Sequence, residues 1–160
     1  MPAAHAFVIE GERWPGPAIT VWNGTGYTGA VPAAIRAWNA AGAQIRFTSA
    51  SSRVSADVVI RYGTSRDEGN ANLGYGTPPS SVLLPRGLPR ISAAALAAHE
   101  LGHVLGLGHE PHRCSVMAAV VDTGRGSRCG IGACTVLWRC LVEPDDAAGA
   151  IALYGRGANG

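Results

Sequence analysis

Ala98-His99-Glu100-Leu101-Gly102-His103-Val104-Leu105-Gly106-Leu107-Gly108-His109 is the stretch from which the rest of this 160-residue chain is read. His99 and His103 are four residues apart, so on an α-helix they project from one face, the spacing two imidazoles need to share an ion. Glu100 is turned about 100° around the same helix, which sets it beside the ion without making it a ligand. Gly106 can take the left-handed conformation that ends a helix. The chain then folds back and His109 can approach as a third ligand. Three neutral nitrogens and one open position describe a catalytic zinc site, not a closed structural one. Of the two other histidines, His112 fits the spacing less well than His109, and His5 lies in an irregular lead-in with no role.

Working outward, Ser92 is placed to cap the helix that carries this pair, from about Ala93 to Leu105. Its alanines favour helix and allow close packing against a sheet. Upstream, residues 1–16 read as irregular. Ala18 to Trp22 reads as a strand closed by Asn23-Gly24, Val31 to Ala41 as a helix with Ile35 and Trp38 on one face, and Gln44–Thr48 and Ala56–Tyr62 as strands. Strand–helix–strand–strand order predicts a sheet with at least one parallel crossover. Residues 63–80 read as a loop in which Asp67, Glu68, Asn70 and Asn72 offer oxygens that a calcium ion could use, a solvated polar loop being the simpler reading. Ser81 to Leu84, beside Pro85, reads as an edge strand. Residues 110–142 read as a long Gly- and Cys-rich loop region, and Asp145 and Asp146 open a last helix.

The length suits one domain, residues 1–160. A net charge of +2 argues against a nucleic-acid or anionic-membrane partner, and no apolar run is long enough to span a membrane. All thirteen basic residues are Arg, which with the many Ala and Gly reads as the codon bias of a GC-rich genome. Cys114, Cys129, Cys134 and Cys140 all follow the zinc motif. Their even number and clustering suggest two disulfides and an oxidising compartment; a four-Cys zinc site is the rival, disfavoured by the absence of paired CxxC knuckles. Three pairings are open, and Cys114–Cys140 with Cys129–Cys134 nests one loop in another. Met1 to His5 lacks the basic start and apolar stretch of a signal peptide. An extracellular, secreted, monomeric protein is expected.

Three stretches make the chain resemble the metzincin metallopeptidases, and more closely a small bacterial matrixin-like catalytic domain. One is HExxHxxGxxH over His99 to His109, with Met117 downstream in Cys114-Ser115-Val116-Met117 suiting the Met-turn. Another is Pro144 to Gly155, with its Asp pair and Leu-Tyr-Gly end. The last comprises Ala34 to Asn39, Ile45 to Phe47 and Ala56 to Ile60. The resemblance implies an α+β metzincin fold: a twisted, five-stranded, mostly parallel sheet with three helices and a cleft beside an antiparallel edge strand, here Ser81 to Leu84. Matrixins carry a second, structural zinc on histidines before that strand, and this chain has no His between His5 and His99. Glu110 after the third His is more typical of astacins, yet no Tyr closely follows Met117. Ala118-Ala119-Val120 stands where matrixins have a Pro-x-Tyr pocket wall.

The chemistry expected is peptide-bond hydrolysis in proteins. His99, His103 and His109 hold Zn²⁺, Glu100 acts as general base, and Met117 forms a floor under the ligands. An extended peptide adds to the backbone of Val82, Leu83 and Leu84. Two other classes remain open: a zinc-holding, non-catalytic binding domain and a zinc hydrolase of non-protein amides or esters.

Overall fold

The computed structural model describes residues 6–64, 69–110, 114–120 and 136–158. Five strands form one sheet: β1 (Ala18–Asn23), β2 (Arg46–Ser49), β3 (Val58–Tyr62), β4 (Asn70–Ala71) and β5 (Ser80–Leu84). Their order is β2-β1-β3-β5-β4, parallel throughout except for the antiparallel β4. The helices are α1 (Ala30–Asn39), α2 (Arg90–Leu105) and α3 (Pro144–Tyr154). This is the expected α+β architecture, with α1 supplying the crossover between the parallel neighbours β1 and β2.

The core explains the sequence pattern. In β3, Val58, Val59 and Ile60 are all buried, as in a parallel strand covered on both faces. In β5 only Ser80, Val82 and Leu84 are fully buried, with Ser81 and Leu83 between them less so. Val58, Ile60, Val82 and Leu84 join one apolar cluster with Val31, Ala34 and Trp38 of α1 and Ala94, Ala98, Leu101 and Val104 of α2. The small alanines let α1 and α2 approach until Trp38 Nε1 donates to the Ala98 carbonyl at 2.8 Å, within a helix backbone. At the β2 edge, Asn39 acts as a short mock strand: Phe47 N donates to its Oδ1 at 2.8 Å, and its Nδ2 donates to Phe47 O at 2.8 Å.

Two expectations are corrected. Ser81 to Leu84 is not an edge strand: β4 covers it, with Asn70 opposite Leu83 and Ala71 opposite Val82. Among the described residues the sheet therefore ends at β4, inside the stretch read as loop. Nor does Ser92 cap α2. The helix starts three residues earlier, at Arg90, where the Pro89 carbonyl accepts from Ala93 N at 2.8 Å, and Ser92 lies in its first turn. The last helix opens on a capping box instead of on charge alone: Glu143 and Asp146 exchange side-chain-to-backbone bonds ahead of Pro144 at the first position.

Gly106 ends α2 at φ +104°, as its place in the motif predicts, and Leu107 N donates back to Gly102 O at 3.0 Å. The lead-in is anchored to this turn. Ile9 bridges Leu107, Gly108 N donates to Val8 O at 2.8 Å, and Glu10 N and Gly11 N both donate to Gly106 O at 3.0 Å. Trp14 is buried, and its Nε1 donates to Val104 O at 2.8 Å. Tyr154, in the last turn of α3, donates to Leu105 O at 2.7 Å and accepts from Trp14 N at 3.2 Å. Among the described residues no helix is long and apolar enough to cross a membrane.

A Cβ at Gly106 would stand 2.9 Å from the Gly11 carbonyl oxygen, on a backbone that side chains rarely adopt. Gly106→Ala is expected to cost about 1–3 kcal/mol from the left-handed backbone alone. Urea unfolding checks this, and an unchanged midpoint would contradict the turn described.

Candidate metal centre

The alanine helix presents His99 and His103 on one face, and the turn at Gly106 returns His109 to them. Their Nε2 atoms converge: 3.0 Å from His99 to His103, 3.1 Å from His103 to His109 and 3.3 Å from His109 to His99. Zn–N bonds of about 2.0–2.1 Å in a tetrahedral site set nitrogens about 3.3–3.4 Å apart, so the three atoms form one face of such a site. These are the three residues, among those described, that could together hold a metal ion.

The hydrogen bonds behind the rings test that fit. His99 Nδ1 lies 2.6 Å from Val116 O, and His103 Nδ1 lies 2.8 Å from Leu107 O. A carbonyl oxygen only accepts, so each Nδ1 carries the hydrogen and each Nε2 is a bare lone pair. Two bare lone pairs 3.0 Å apart repel unless a cation sits at their focus. Desolvation pushes the His99 imidazole down to about 4, opposed by the Val116 carbonyl and reinforced by His103 and His109. Burial lowers His103 likewise, opposed by the Leu107 carbonyl. Neutral rings are what a cation requires.

Glu100 follows His99 and is buried. With desolvation the cause, its carboxyl is pushed up to about 7. Gly69 leaves it room: a Cβ there would stand 2.2 Å from Glu100 Oε1 and 2.9 Å from Leu96 Cδ1. Both line a cleft of about 700 Å³ together with the three histidines, Asn70, Ala71, Leu96 and Ala119.

Met117 is buried under the helix, and Gly102 makes this possible, since a Cβ there would stand 2.2 Å from Met117 Sδ. The turn that carries Met117 hangs from Asp146. That carboxylate accepts from Ser115 Oγ, from Val116 N at 3.0 Å, from Met117 N at 3.3 Å and from Glu143 N at 2.9 Å. It thereby fixes the Val116 carbonyl that orients His99.

The edge strand named from sequence moves. Val82, Leu83 and Leu84 do not line the cleft; Gly69, Asn70 and Ala71 of the covering segment do. Nothing marks two polar-flanked residues as a strand, so this was missed. Glu10 was missed as well, although it lines the same cleft; the apolar run Phe7-Val8-Ile9 just before it was the available signal. Asn72, offered for calcium, accepts from Ser81 N at 2.6 Å instead. Asp67, Glu68, Cys129, Cys134, His5 and His112 lie outside the described residues. Cys114 and Cys140 are within them, and neither is a free thiol.

Asp146→Asn removes one acceptor oxygen and the charge from this node. It is expected to destabilise the fold by about 1.5–3 kcal/mol and to weaken zinc binding. Thermal unfolding and competition with a chelator measure the two effects; wild-type values in both would show that the turn does not depend on Asp146.

Comparison with known proteins agrees with this geometry. The matrixin peptidase family model matches residues 88–155, which hold α2, the three histidines, Met117 and α3. Human matrix metalloproteinase-19 is 36% identical over 66 residues, or 41% of this chain and 11% of that protein. The match thus spans about a tenth of that curated relative's length. The five-stranded, mostly parallel sheet and three helices around the motif are consistent with a metzincin fold, and residues 88–155 are similar to the matrixins.

Proposed function

We propose that residues 1–160 form one secreted zinc metalloendopeptidase domain that hydrolyses peptide bonds in extended protein segments. The observation that carries this reading is the meeting of three Nε2 atoms within 3.3 Å of one another, with the Glu100 carboxylate in the same cleft. Zinc, when bound, would supply Lewis-acid polarisation of the peptide carbonyl and acidify a water. His99, His103 and His109 would hold it, leaving a fourth position open to the cleft. Glu100 takes a proton from the attacking water on its carboxylate and later delivers it to the departing amine. Ligation alone does not need that carboxylate.

The exposed edge of β4 gives the substrate its track. A peptide added there gains main-chain hydrogen bonds without regard to sequence, as an extended protein segment requires. Met117 serves as an apolar floor that keeps the zinc helix from settling. Disulfides Cys114–Cys140 and Cys129–Cys134 would tie the segment after that floor, in keeping with an oxidising, extracellular setting.

Metal analysis should find about one zinc per chain, and His103→Ala should lose it. Glu100→Ala should keep zinc while casein cleavage falls about 10²–10⁴-fold. Zinc bound by a wild-type protein that cleaves neither proteins nor peptides would sink the peptidase reading.

A further inference from the structure

The lead-in places a second carboxylate in the cleft. Glu10 lines it beside His103 and His109, on a segment held by the bonds from Gly108 N to Val8 O and from Glu10 N and Gly11 N to Gly106 O. Its side chain lies against Gly108: a Cβ at that glycine would stand 2.4 Å from Glu10 Cδ and 2.7 Å from Oε2. The backbone is anchored this way, and the exposed Glu10 side chain lies over Gly108 at the rim of the cleft. Its charge reaches His103, where it favours the protonated ring.

Among the described residues no Arg lines the cleft beside it. The Glu10 carboxylate makes no hydrogen bond or ion pair with the described residues. Among the described residues the cleft's ionisable lining is Glu10, Glu100 and the three histidines, and the chain has no Lys. Glu100 and the histidines are taken up by the chemistry, which leaves one unengaged anion. We propose that Glu10 is a specificity-determining residue, its carboxylate selecting an Arg or Lys side chain of the substrate. This role rests on the peptidase reading of the same site.

The run of β4 tells which part of the substrate meets it. Gly69 lies against Glu100, while Gly74 N donates to His103 O at 2.8 Å and Gly74 packs on Gly11 and Glu12. From Gly69 to Gly74 the segment therefore passes from the general base towards Glu10. A peptide antiparallel to it runs the other way, so residues before the scissile bond lie nearest Glu10.

Peptide libraries scanned one position at a time read this directly on the full chain. Wild type should favour Arg and Lys about three- to tenfold at one position before the cleaved bond, and the preference should shrink with added salt. Glu10→Gln should flatten it, and Glu10→Arg should turn it towards Asp and Glu. Fluorescence anisotropy of Arg- and Leu-containing peptides on zinc-loaded Glu100→Ala protein reads the same selection without turnover. Identical profiles for wild type and Glu10→Arg would overturn the role of Glu10 and leave the peptidase reading standing. A uniform rise in cleavage for Glu10→Gln, with no change of profile, would also overturn it and make the carboxylate an obstruction at the metal. Charge-dependent binding without cleavage would keep Glu10 as the selector and fail the peptidase reading alone.

Discussion

Two backbone carbonyls decide what the histidines can do. Val116 O and Leu107 O each accept from an Nδ1, and this turns the opposite nitrogens into lone pairs aimed at one point. Much of the structure serves to place those two oxygens. Leu107 is set by the turn at Gly106, which is braced by the lead-in through Glu10 N and Gly11 N. Val116 is set by Asp146, which is set in turn by the capping box that starts α3. The site is thus assembled from three separate parts of the chain, with α2 supplying only the side chains.

The burial of these groups has an electrostatic cost that the arrangement itself offsets. Desolvation drives His99 to remain neutral and Glu100 to hold its proton. A dication among neutral imidazoles would reverse the second effect and leave the first intact, because its field favours the ionised carboxylate. The apolar walls that make Glu100 reluctant to ionise would then strengthen its interaction with the metal's field.

The zinc motif could be read from residue spacing alone, because i, i+4 on a helix and a left-handed glycine are local geometry. The strands β1, β3 and β5 could be read for a similar reason: Ile19 and Val21, Val58 to Ile60, and Val82 and Leu84 are dense apolar runs. What escaped was set by tertiary partners. Asn70 and Ala71 are a strand only because Leu83 and Val82 lie opposite. Their own residues carry no β signal, and the edge was assigned one strand too far in. The start of α2 was misplaced because Ser92 is a good cap by type, whereas Pro89 had already opened the helix. Asp146 was read as helix-dipole chemistry, but its main partners are 29 to 31 residues upstream.

Tyr154 joins the two ends of the described chain. Its hydroxyl accepts from Trp14 N, 140 residues away, and donates to Leu105 O. Closing so long a loop is entropically slow, and contacts of this separation dominate late folding. On the ribosome, the zinc helix emerges well before α3. The histidines are then exposed without the carboxylate that fixes Val116 or the phenol that locks the helix end. The metal-binding face is thus completed by residues that follow it in the chain.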